Sequence, residues 1–152
     1  MSLFTKTDAI NLLDLKKREH DILAQILKLT EDQAGFLAAD DIEGFDKSLS
    51  SRQQLIEGID RLHQESDGLM QSYISYSESP EGTKIRDIEE LRRQIRDLLE
   101  KCSIQNERNA AAAKEILQGY TDRINELNIS KKGIQSYIQT VESNSELIDK
   151  TT

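Results

Sequence analysis

The chain has 152 residues, a formal net charge of −8, 36% hydrophobic and 32% charged residues, one cysteine, one proline and no tryptophan. So polar a chain cannot bury a thick globular core, yet its apolar residues recur too regularly for a disordered one, which leaves long helices with narrow apolar seams. No segment is basic, which excludes the electrostatic footprint of nucleic-acid or anionic-membrane binding, and the single cysteine excludes an intrachain disulfide or a cysteine-based zinc site.

No apolar run approaches the roughly 18 residues of a membrane span. The opening MSLFTKTD has no secretory hydrophobic region. A cytoplasmic protein is the expectation.

The first apolar series is Leu12, Leu15, Ile22, Ile26, Leu29 and Phe36, flanked by Leu23 and Leu37. Steps of three and four predict an amphipathic helix over about residues 7–37, on the order of 45 Å long. The stretch AADDIEGF predicts a tight reversal, with Asp40 or Asp41 as N-cap and Glu43 in the first turn. A second helix, about 42–75, carries Ile42, Phe45, Leu49, Ile56, Ile59, His63, Met70 and Tyr73, with Leu55, Leu62 and Leu69 alongside. Leu55, Ile56, Ile59 and Leu62 are expected to be its most buried group, facing Leu23, Ile26 and Ile95.

YSESPEG, residues 76–82, is the clearest break, with the only proline and a nearby glycine. Thr83 is placed to cap a third helix over about 83–128, on the order of 70 Å. Its stripe runs Ile85, Ile88, Leu91, Ile95, Leu98 and Cys102, and resumes at Ile116, Leu117, Tyr120, Ile124 and Leu127. Between them Gln105, Asn106, Asn109 and Ala110 to Ala113 replace large apolar residues. Such a stretch is either a close-approach seam, since alanine lets backbones come near, or the side of a groove. The expected architecture is all-α: an elongated antiparallel three-helix bundle or coiled coil (residues 1–128), with a long third helix and an amphipathic C-terminal segment (129–152). Two shorter helices leave the far end of the third uncovered.

Chemistry-bearing motifs are few. His63 sits in a seam with Asp60 three residues before it, but a diiron bundle needs Glu-x-x-His twice and two further glutamates. A phosphotransfer histidine would need His-x-x-Lys-Gly, which neither His20 nor His63 has. The run KKREHD, residues 16–21, mixes signs and reads as a solvated turn of helix. Glu89, Glu90, Arg92, Arg93 and Arg96 place opposite charges three and four apart on an exposed face. No phosphate loop, nucleophile elbow or Cys/His pair is present. The chain is read as a non-enzyme with no catalytic residues, no cofactor and no metal.

The segment SKKGIQSYIQTVESNSELI carries Ile134, Tyr137, Ile138, Val141 and Ile148 at helical spacing. No helix is left to cover it fully, so it is either a loosely docked fourth segment that completes the bundle or a partner-binding helix that orders on contact. Exposed apolar stripes of this kind mark interaction sites. Ile124, Leu127, Ile134, Tyr137, Ile138 and Val141 are therefore the candidate partner-binding residues.

LTEDQAGFLAADDIEGFDKSLSSRQQLIEGIDRL, with Gln33, Leu37, Asp40, Asp41 and the run Arg52-Gln53-Gln54-Leu55-Ile56, resembles the FlgN-type flagellar export chaperones. IQNERNAAAAKEIL, with Asn106 and Asn109, is similar to that family's third helix, and KKGIQSY to its C-terminal element. The resemblance spans roughly Leu12 to Tyr137. It implies a cytoplasmic chaperone of the bacterial flagellar type III secretion system. Such a chaperone binds C-terminal helices of the hook–filament junction proteins, FlgK and FlgL, prevents premature assembly and delivers them to the export gate. It also implies Tyr137 as the export-gate contact. The alternatives are a FliT-type chaperone for the filament cap protein and a structural coiled-coil adaptor without an export role.

Overall fold

The computed structural model describes residues 4–126 and 138–143. Three α-helices account for most of them: α1, Lys6–Ala38; α2, Ile42–Glu78; and α3, Arg86–Glu126. Residues 138–143 form a short helical stretch. There is no strand among the described residues. The protein is an all-α helical bundle in which α1 packs on both α2 and α3. The 33, 37 and 41 residues of the helices are closer in length than expected.

Local chemistry sets the helix ends. At the start of α1, Thr5 Oγ1 accepts the Asp8 N–H and Asp8 Oδ2 accepts the Thr5 N–H, both at 3.0 Å, a reciprocal capping box. At its end the Asp41 N–H reaches the Phe36 carbonyl at 2.8 Å and the Asp40 N–H the Leu37 carbonyl at 3.2 Å. This is a Schellman closure with Asp40 in the left-handed region, at φ 56°. Asp41 then caps α2, accepting the Gly44 N–H at 2.9 Å. Gly44 is required there, because a Cβ would stand 2.7 Å from the Phe36 ring.

α3 begins at Arg86, later than the Thr83 cap predicts. The Ile85 N–H instead donates to the buried Tyr73 hydroxyl at 3.0 Å, which holds residues 82–85 out of the helix. Gly82 closes this turn where a Cβ would overlap the Tyr76 carbonyl.

Contacts divide the chain into two compact units. The first comprises the chain up to Leu29 and Ser50–Cys102. One of its cores joins Leu23, Ile26, Ile59, Ile95 and Cys102, with Leu55 and Ile56 against it, as expected for the middle of α2. The other gathers Leu12, Tyr73 and Ile88. Phe4 covers Tyr73 with ring centroids 5.5 Å apart. The most buried residues of α2 are not the expected quartet, however: Tyr73 is 0% exposed, against 9% for Ile59 and 8% for Leu62. An aromatic ring at the end of the helix, closed over by Phe4 and the α2–α3 turn, is better shielded than aliphatic side chains at mid-helix. The second unit comprises Thr30–Leu49 and the chain from Ser103. Its core is Leu37, Phe45 and Ala113, with Phe36, Leu49, Ala112 and Ile116 packed against it.

Candidate functional site

In the second unit the last turns of α1 and the second half of α3 border an open groove of about 710 Å³. Ala34, Leu37 and Ala38 form the α1 side, and Asn109, Ala112, Ile116 and Gly119 the opposite one. The polar-alanine stretch of α3 is thus both a seam and a groove. Asn109 and Ala113, each 2% exposed, point into the packed interior. Ala112 and Ile116, within a turn of them, line the opening. Residues four and three apart share a helix face, so one stretch serves both surfaces.

The floor is held by polar contacts. The Asn109 amide nitrogen donates to the Thr30 carbonyl at 2.7 Å and to Gln33 Oε1 at 3.4 Å, while Asn109 Oδ1 accepts from Gln105 at 3.0 Å. Thr30 and Gln33 are 0% and 1% exposed. Gln33 Nε2 has no hydrogen-bond partner among the described residues. At the mouth, the Tyr120 hydroxyl donates to the Asp40 carboxylate at 2.7 Å and 2.8 Å, and Arg123 lies over the Tyr120 ring, 5.7 Å from its centroid. The hydrogen bond to Asp40, then burial and the Asp40 charge, hold the Tyr120 hydroxyl above the ordinary phenol range. The α1–α2 turn is thereby tied to α3 beside the groove.

Of the sequence-expected binding residues, Ile124 is 7% exposed, inside its unit. Ile138 and Val141 lie on the 138–143 helical stretch, both partly exposed. Leu127, Ile134 and Tyr137 lie outside the described residues.

The first unit holds a second polar constellation that the sequence reading missed. Glu19, 5% exposed, accepts from His63 Nε2 at 2.6 Å and from Lys16 Nζ at 3.0 Å. Burial pushes the Glu19 carboxyl up, but the hydrogen bonds and charges of His63 and Lys16 outweigh it and hold the group below the ordinary carboxylate range. KKREHD is therefore not a wholly solvated turn: its Lys16 and Glu19 side chains are 13% and 6% exposed. The signal was available, because Glu19 stands four before Leu23 and seven before Ile26, in the seam register. His63 takes Glu19, not Asp60, as its partner. No cluster of three or more metal-ligating side chains occurs among the described residues, and no described helix is long and apolar enough to cross a membrane.

Fold and site together define a small all-α bundle with an open two-helix groove, a geometry suited to receiving another helix. A family model described as FlgN protein matches residues 1–140. The chain belongs to the FlgN family, and that membership points to flagellar export chaperones as its general class. No curated protein and no solved structure gives a match.

Proposed function

We propose that this protein is a cytoplasmic export chaperone of the flagellar type III secretion system that binds C-terminal helices of hook–filament junction proteins of the FlgK and FlgL type. It shields them from premature assembly and delivers them to the export gate, without catalysis or a cofactor. The observation that carries this reading is the FlgN family match over residues 1–140, on a chain whose second unit presents an open groove of about 710 Å³. The substrate helix lies in that groove. Ile138 and Val141, with Leu127, Ile134 and Tyr137, supply further apolar contacts, and Tyr137 reaches the export gate. Each aliphatic side chain buried on binding contributes about 1.5–3 kcal/mol. Ordering a disordered tail costs about 2–5 kcal/mol, so micromolar to sub-micromolar affinity follows.

Titration calorimetry with C-terminal peptides of junction proteins and of the filament cap protein tests this. A 1:1 complex with junction peptides alone supports it. Binding to the cap peptide alone makes the protein a FliT-type chaperone, and binding to neither refutes the export reading. Truncation after Leu127 separates the two contact regions: retained melting temperature with weakened peptide binding assigns a binding role to the C-terminal residues.

A further inference from the structure

The two halves of α3 treat charge differently. In the first, two arginines are paired along the helix: Arg92 reaches Glu89 at 3.0 Å, and Arg93 reaches Glu90 and also Asp97 at 3.1 Å. Beside the groove this stops. The residues three and four away from Arg108 are Ile104, Gln105, Ala111 and Ala112, and those around Glu115 are Ala111, Ala112, Gln118 and Gly119. Neither charge has an opposite charge within reach on its own helix. Arg123 rests on the Tyr120 ring. Arg108, Glu115 and Arg123 are all exposed, and all border the groove. Along the α3 wall they read positive, negative, positive, at intervals of about 10 and 12 Å, while the remaining charge among the lining residues, Asp40, is engaged by the Tyr120 hydroxyl.

We propose that the groove selects its helix by this charge order. The occupant, which rests on the docking role argued above, is one amphipathic helix of a partner protein. It carries acidic residues about fifteen positions apart, facing Arg108 and Arg123, and a basic residue near the midpoint, facing Glu115. Short side chains lie between them, because Ala34, Ala38 and Ala112 bring both walls close to the occupant's backbone. The tail of this chain does not fit. Its acids beyond Glu126 are Glu142, Glu146 and Asp149, crowded into two turns, with no basic residue between Glu142 and Asp149.

The test uses two synthetic helices with one alanine–leucine face, bearing Glu, Lys, Glu or the reverse, Lys, Glu, Lys, at the matching spacing. Binding to the full chain is read by fluorescence anisotropy, for wild type and for R108E/R123E. The wild type should prefer the acid-flanked helix by roughly tenfold, a preference that shrinks with added salt and inverts in the variant. E115K should weaken that helix alone. These substitutions are at exposed positions, and an unchanged far-ultraviolet circular dichroism spectrum verifies folding. A wild type without charge preference, or a preference that survives R108E/R123E, overturns the proposal. So does self-association abolished by R108E/R123E, which would make the occupant a second copy. If junction-protein peptides bind wild type and R108E/R123E equally, the charge code fails while the chaperone reading stands. If the acid-flanked helix binds as expected and junction peptides do not, the reverse holds.

Discussion

Replacing His63 with alanine tests whether the buried ionic layer holds the first unit together. In the wild type the Glu19 carboxylate is 5% exposed and has two partners, His63 at 2.6 Å and Lys16 at 3.0 Å. The variant leaves it with Lys16 alone. A hydrogen bond to a charged group is worth about 1.5–3 kcal/mol. The His63 side chain is 46% exposed, so water can enter where the imidazole was and replace part of that bond. A loss of about 1–2 kcal/mol follows near neutral pH, or a fall in melting temperature of about 2–8 °C at this chain length. The pH dependence has a definite sign. The folded-state pKa of Glu19 is depressed below its ordinary 4.5. Stabilisation is therefore fully present above the unfolded value and is lost as pH falls through the folded one. The gap between wild type and variant should narrow as pH falls below the ordinary carboxylate range and close once the folded-state Glu19 carboxyl is protonated. Urea denaturation followed by circular dichroism measures it. A neutral-pH loss below about 0.3 kcal/mol, or a loss that persists unchanged into acid, refutes the argument.

Other positions give sharp expectations. Gln33→Met should be neutral or stabilising by up to about 1–2 kcal/mol, because it removes a buried donor without a described partner and gives up only a 3.4 Å bond; chemical denaturation checks this. Asn109→Ala should cost about 1–3 kcal/mol in the same assay, since the Thr30 carbonyl loses its 2.7 Å donor. Asp40→Ala should destabilise more than Asp40→Gly, by about 1–2 kcal/mol, because both lose Tyr120 but only glycine relaxes at φ 56°; paired thermal melts decide. Leu62→Ala, at 8% exposure, should cost about 2–5 kcal/mol, and a loss below about 1 kcal/mol would show that its surroundings collapse or hydrate.

The helices were legible because periodic apolar residues and capped breaks agree. The α1–α2 turn could be placed almost to the residue, since Asp40 and Asp41 suit the left-handed and N-cap positions that they take. What escaped were polar residues in seam positions. On α1 the buried register runs Leu12, Glu19, Leu23, Ile26, Thr30, Gln33, Leu37, in steps of three, four or seven. An apolar scan skips Glu19, Thr30 and Gln33 and reaches instead for the flanking Leu15, Ile22, Leu29 and Phe36. The same bias hid Ser48 and Ser66 on α2, 4% and 3% exposed. Ser48 is invisible to a hydrophobicity criterion because its hydroxyl is satisfied within its own helix, donating to the Phe45 carbonyl at 2.5 Å. The groove was half legible: QNERNAAAAKEIL announced a change in packing, but alanine reports close approach without saying whether the approaching group belongs to this chain.

These polar seam positions bear on how a bundle can be a chaperone at all. Apolar side chains tolerate sliding by a turn, because one aliphatic pocket resembles the next. Asn109 does not, since a shift of α3 by one residue would take its buried amide away from the Thr30 carbonyl that it reaches at 2.7 Å. Glu19 sets the same condition in the first unit through His63. Within the second unit, fixing the register of α1 against α3 also fixes which side chains border the groove. Arg108 is one residue before Asn109, and Ala112 one before Ala113. The residues that lock the interior thus place those that face outward. Asn109→Leu would keep the apolar burial while releasing that lock. If the reasoning holds, it should retain most of the helix content and stability yet lose the discrimination between acid-flanked and base-flanked helices. Stability and discrimination both unchanged would show that the groove is positioned by apolar packing alone.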